Sequence, residues 1–219
     1  KEMQYKRERF EVDLYPSDGA FKVKKGEQIG RMGNTGSSEG AHLHFEIRHS
    51  TSQKALNPLL FGLPIPDQTP PDLRDMKVYF LSEQREVLNS KAFPIERRKD
   101  GSYGVAGDTV RLPAWRVGFG LKAIDRQTGN TQNKNGLYSL TLLADERTAF
   151  QWNMTELDFN ESRYLNAHAD YAARANYGAW FHRCFVLPGD RLSNYARTES
   201  LGAIPLYKDR PVKITLKAA

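Results

Sequence analysis

The sequence predicts an all-β, mainly antiparallel chain. A glycine-rich β segment at residues 1–61 is followed by a proline-rich linker at residues 62–71 and a β-sandwich with one inserted helix at residues 72–219. Three observations predict it. Most patterned stretches alternate apolar and polar residues with a period of two, the signature of a strand with one buried face. Clusters of Asn, Gly and Asp separate those stretches at hairpin spacing. Four prolines fall within residues 62–71, a composition that favours an extended, semi-rigid connector.

Taken in chain order, residues 1–6 read as part of an amphipathic helix, and residues 11–15 and 21–23 alternate as strands on either side of turn-forming residues. Lys25-Gly26-Glu27 reads as a turn. The stretch Gly33-Asn34-Thr35-Gly36-Ser37-Ser38-Glu39-Gly40 is a loop with three glycines, and it leads into Ala41-His42-Leu43-His44-Phe45-Glu46-Ile47-Arg48. In that octapeptide Leu43, Phe45 and Ile47 share one face of a strand, and His42, His44, Glu46 and Arg48 share the other. Beyond the linker, strands are expected at residues 76–81, 116–125, 137–144, 180–187 and 212–217. The turn residues Thr128-Gly129-Asn130 and Asn133-Lys134-Asn135-Gly136 separate the second from the third. This spacing argues for an immunoglobulin-like sandwich. One helix is expected over residues 161–175, capped by Asn160, with Tyr164, Leu165, Ala169 and Ala172 on its buried face. Trp115, Trp152 and Trp180 are read as core, and His49, His168 and His182 as structural or solvated side chains.

Composition narrows the function classes. Lys and Arg total 32 against 26 Asp and Glu, a net charge of +6, but the positive residues are dispersed. The densest group, Arg97-Arg98-Lys99, is followed at once by Asp100 and reads as a solvated face. No basic stripe interleaved with aromatics appears, so nucleic acid is not an expected partner. No stretch approaches the roughly 18 consecutive apolar residues of a membrane-spanning helix, and no span is expected. The single cysteine, Cys184, excludes an internal disulfide and a cysteine-based zinc cluster, so a metal site here would be built from His and carboxylate.

The chemistry-bearing residues are His42 and His44. Two residues apart on a strand, they point the same way, with Cα atoms about 6.5–7 Å apart. One imidazole can bind a metal while the other stands beside a metal-bound water, whose pKa zinc lowers toward about 7. The bland alternative is a pair of strand histidines with no ligand. The apolar opposite face and the glycine-rich approach weigh against it, because a functional strand is anchored on one side and reachable on the other.

Several motifs in order resemble a known family. Val23-Lys24-Lys25-Gly26-Glu27-Gln28-Ile29-Gly30, Gly33-Asn34-Thr35-Gly36, the run from Gly40 through Arg48, and Asn57-Pro58 are similar to the C-terminal half of a lysostaphin/LytM-type zinc metallopeptidase domain. The resemblance implies a partial lysostaphin-type β peptidase domain, a Zn2+ cofactor, and hydrolysis of peptide cross-links in bacterial peptidoglycan. It makes His44 a zinc ligand and His42 the catalytic histidine. Peptidoglycan stem peptides or cross-links are then the substrate, envelope proteins are candidate partners, and the location is the bacterial cell envelope, periplasmic or exported. A weaker resemblance, carried by Gly118-Phe119-Gly120 and the run from Arg183 to Ser193, is to the immunoglobulin-like segment that follows the peptidase domain in some envelope members.

The family pattern also calls for an upstream His-x-x-x-Asp and a second catalytic histidine, and the chain holds neither. Two expectations follow. In one, the sequence is a fragment whose metal site is completed upstream, and the isolated chain is inactive. In the other, it is a catalytically degenerate module that binds cell wall or activates a partner hydrolase. The turn at residues 23–30 is also similar to the half-barrels of biotinyl and lipoyl carriers, but Lys24 and Lys25 lack the neighbours a modified lysine needs, and a carrier has no use for His42 and His44.

Overall fold

The structure is a computed structural model that describes residues 2–12, 14–34, 39–196, 200–206 and 210–219. It divides into two compact units, Lys1–Phe45 and Glu46–Ala219. The proline-rich run at residues 62–71 therefore lies inside the second unit.

The first unit contains one helix, α1 (Glu2–Lys6), and one isolated antiparallel bridge between Gly33 and His42. The strands expected at residues 11–15 and 21–23 do not form among its described residues, and the one expected at residues 41–48 is reduced to that bridge and its last two residues. A strand needs a paired ladder and a face to bury. Here Phe10, Phe21, Leu43 and Phe45 are all exposed, and no described residue of the unit is buried. The local turn does form: Gly26 takes φ +88°, Glu27 N–H donates to Lys24 O at 3.0 Å, and Lys24 N–H donates to the Glu27 carboxylate at 2.9 Å.

The second unit begins with β1 (Ile47–Arg48) and β2 (Ala55–Leu56), followed by a 3-10 turn at Pro58–Phe61. Then come β3 (Asp72–Leu81), β4 (Val87–Arg97), β5 (Tyr103–Val105), β6 (Arg116–Gln127), β7 (Asn130–Asn135), β8 (Ser139–Ala144), β9 (Arg147–Asn153) and β10 (Glu156–Leu157). A 3-10 turn (Ser162–Tyr164), α2 (Leu165–His168) and α3 (Tyr171–Tyr177) follow. The chain closes with β11 (His182–Arg183), β12 (Tyr195–Ala196), β13 (Ile204–Pro205) and β14 (Ile214–Ala218). Every strand pairing is antiparallel.

One sheet runs β11-β6-β3-β4-β5, with β7 and β13 also on β6; a second runs β12-β9-β8-β14. Their inner faces share one apolar core: Val78, Val117, Phe119 and Leu121 from the first, Leu140, Leu142, Phe150 and Trp152 from the second. The all-β, antiparallel class expected from the alternation is the class observed. A small third sheet, β1-β2-β10, joins residues 47–56 to the segment after β9.

Three elements differ from expectation. The single helix over residues 161–175 is a 3-10 turn and two short helices, broken at Ala169, which is extended (φ −75°, ψ 140°) and bridges His182. Asp170, not Asn160, caps a helix: its carboxylate accepts from Ala173 N–H at 3.2 Å, whereas Asn160 turns to Asp158. The break shifts the helical phase, so Ala173 is buried and Ala172 exposed. The strand expected at residues 180–187 is only His182–Arg183, because Cys184 N–H bonds Phe119 O while Val186 N–H has already left for Leu201 O. Of the tryptophans, Trp152 is core, but Trp115 is 79% and Trp180 40% exposed.

Candidate functional site

The two histidines singled out in the sequence lie at the end of the first unit and are both exposed. His42 sits opposite Gly33, and its Nδ1 lies 2.8 Å from Gly40 O. A carbonyl only accepts, so Nδ1 carries a proton and donates it. The loop predicted from Gly33 to Gly40 is described at both ends; Thr35, Gly36, Ser37 and Ser38 lie outside the described residues. His44 follows Leu43 outside any strand.

Glu46, on the histidine face in the sequence pattern, is engaged in the second unit. Its Oε2 accepts from Arg48 Nε at 2.6 Å and from Nη2 at 2.5 Å. It thus forms an ion pair with Arg48. His49 is a turn residue whose Nδ1 accepts from the N–H groups of Thr51 and Ser52 at 3.3 Å. Asn57 is a cap: Oδ1 accepts from Leu59 N–H at 3.0 Å, Nδ2 donates to Met154 O at 3.1 Å, and Pro58 begins the 3-10 turn.

Residues 18–58 match peptidase family M23. No solved structure matches the chain. The M23 segment contains each ordered motif from the residue 23–30 turn to Asn57-Pro58, so the resemblance to a LytM-type peptidase family holds for that segment. A family of peptidases places the segment with hydrolases. Imidazole nitrogens are suitable zinc donors, but among the described residues no group of three or more His, Cys, Asp or Glu is placed to hold an ion. The described residues of the matched segment thus offer imidazole, a suitable donor type, without three donors gathered at one point.

A second cluster of polar groups lies buried in the other unit, and the sequence reading missed it. Asp170, 3% exposed, accepts from Lys77 Nζ at 2.7 Å, Tyr79 Oη at 2.8 Å and Arg183 Nη2 at 3.1 Å. Burial by itself would raise its carboxyl. The hydrogen bonds from Lys77, Tyr79 and the Ala173 backbone outweigh it and hold the carboxyl below the usual carboxylate range. Burial, then the Asp170 charge, drives the Tyr79 phenol far upward, so it stays protonated and donates. Beside this network His168 and His182 face each other with Nε2 and Nδ1 3.1 Å apart, and the His168 ring stacks on Trp152 with centroids 4.4 Å apart. The available signal was parity: His168 falls three residues after Leu165 on one helix face, and His182 lies between Phe181 and Arg183, two residues before the apolar Cys184. Neither position reveals that the two meet.

Proposed function

We propose that the M23 segment belongs to a zinc metallo-endopeptidase that hydrolyses peptide cross-links of bacterial peptidoglycan in the cell envelope. In this reading His44 supplies one zinc ligand and His42 is the catalytic histidine. The observation that carries it is the His42-Leu43-His44 pair inside the matched residues 18–58, with the His42 proton held on Nδ1 by Gly40 O. That hydrogen bond orients the His42 ring. The remaining ligands come from polypeptide outside residues 1–219.

The experiment compares the 219-residue chain with a longer polypeptide that includes the coding region preceding Lys1. The longer protein is expected to bind one zinc by elemental analysis and to clear a suspension of purified peptidoglycan, and His44→Ala abolishes both. Full zinc occupancy in His44→Ala overturns the ligand assignment. A second reading, motivated by the lack of a His-x-x-x-Asp in residues 1–219, is a catalytically degenerate module that binds cell wall or activates a partner hydrolase. Sedimentation with peptidoglycan, without zinc or hydrolysis in the longer protein, selects it.

A further inference from the structure

We propose that His168 and His182 form a proton-operated latch. It holds the helical segment of residues 165–177 against strand β11 while both imidazoles are neutral, and it releases that segment when acid protonates them.

The geometry carries the argument. The two rings are 3% and 4% exposed, and their facing nitrogens are 3.1 Å apart. One proton must lie between them, because two bare nitrogens repel and two N–H groups collide. A neutral pair meets this condition in either tautomeric arrangement. Protonating either ring puts a proton on every nitrogen of that ring and adds a buried positive charge.

No neighbouring group absorbs that charge. On β11 itself stand Arg183 and Cys184; Arg183 is already cationic, and burial pushes the Cys184 thiol up so that it stays neutral. The Asp170 carboxylate, at the N-cap of α3, is shared by Lys77 and Tyr79 from β3 and by Arg183. Tyr195 on β12 packs near His168, and its hydroxyl donates to Asp190 at 3.0 Å. From β9 the neighbour is Trp152, and from β6 the partners of β11 are Leu121 and Gly120, none of which titrates. Among the described residues His168 Nδ1, His182 Nε2 and Trp152 Nε1 make no hydrogen bond. A first proton still leaves one of the two facing nitrogens to accept; a second removes that acceptor and sets two N–H groups against each other.

Burial lowers both imidazoles, His182 to about 4 and His168 well below its usual range, with His182 and Arg183 adding to the second. A folded-state pKa below the unfolded one of about 6.5 means that the stability is fully present above that pH. It drains away as the pH falls through the window down to about 4. The two sides of the latch differ in what else holds them. β11 is paired with β6, and Cys184 N–H is bonded to Phe119 O at 2.7 Å. Residues 165–169 are held to β11 by the histidine pair, by the Ala169–His182 bridge, and by Arg183 Nη1 donating to Ala167 O at 2.7 Å and Ala169 O at 3.1 Å. The start of α3 is tied by the Asp170 carboxylate to Lys77, Tyr79 and Arg183 and by Asp170 N–H to Phe181 O at 2.9 Å. Outside those Asp170 contacts the helical side belongs to no sheet, and in the latch it is the side that gives way when both rings are charged.

The test is a pH titration of the full chain from 8 to 3.5 that follows the histidine ring nitrogens by NMR, tryptophan emission and residue-resolved amide exchange. Neither imidazole should titrate near 6.5. A cooperative change that takes up more than one proton should open residues 165–177 at a pH where β6, β8 and β9 remain protected. His168→Phe keeps an aromatic ring on Trp152 and removes the titrating nitrogens; it should move the midpoint down by about one pH unit. His182→Asn, which keeps a polar side chain of similar reach, tests the partner and serves if the first variant fails to fold. Titration of both rings near 6.5, an unchanged midpoint in the folded variants, or simultaneous opening of the helices and the core strands overturns the latch.

Discussion

The two units handle similar sequence patterns in opposite ways. The run from Leu43 to Ile47 and the run from Arg116 to Gln127 both alternate or cluster apolar residues as strands do. Only the second becomes a strand along its length, and it does so between β3 and β11, with Val117, Phe119 and Leu121 all under 5% exposed. Leu43 and Phe45 are 81% and 61% exposed, and one isolated bridge stands where a ladder was expected. The difference teaches that alternation is permission to form a strand, while the decision rests on a partner edge and a face to bury.

Several measurements break or sharpen that comparison. The largest effect is expected in the second unit at Asp170, where Asn keeps the size but leaves Lys77 and Arg183 without a counter-charge. Loss of about 3–5 kcal/mol in urea unfolding is expected. Because the Asp170 carboxyl is held low in the folded state, its contribution is present above the ordinary carboxylate range and is lost as pH falls through the folded value. The Asn variant should accordingly show a weaker loss of stability on acidification below pH 4.

Next is a matched pair of truncations. Leu142→Ala, at a fully buried position, should cost about 2–5 kcal/mol, whereas Leu43→Ala should change the same unfolding curve by less than about 0.5 kcal/mol. Equal effects would show that the first unit buries its apolar face after all.

Gly202→Ala comes third. With φ +81° and a new Cβ 2.1 Å from Cys184 O, it should lower stability by about 2–3 kcal/mol, measured as a drop in Tm. The smallest effect belongs to the Lys54–Glu156 pair, at 2.8 Å with side chains 25% and 41% exposed. Glu156→Gln should cost no more than about 1 kcal/mol and lose part of that in high salt.

Legibility in the sequence followed the range of the interaction. The strands at β3, β6, β8 and β14 were readable because each carries its own alternation and turn residues. The His42-Leu43-His44 motif was readable because it lies within three residues, inside the stretch that matches the family. The helix break at Ala169–Asp170 was not, since Asp170 is drawn out of a helix by Lys77 and Tyr79 more than ninety residues earlier. The buried His168–His182 contact failed for the same reason at shorter range: fourteen residues with a turn between them carry no local periodicity. Trp115 and Trp180 show the converse, large apolar side chains that composition assigns to the core and the folded surface keeps.

The small β1-β2-β10 sheet bears on how this chain can be recombined with others. Ala55–Leu56, within the family-matched stretch, pairs on one side with Ile47–Arg48 and on the other with Glu156–Leu157, a hundred residues downstream. Asn57 adds a hydrogen bond to Met154 O, and its N–H a second to Thr155 O at 2.8 Å. A graft that joins a foreign module at the proline-rich run would strip the end of the matched stretch of its β10 neighbour. A seam placed before Glu46 would carry the whole sheet along intact.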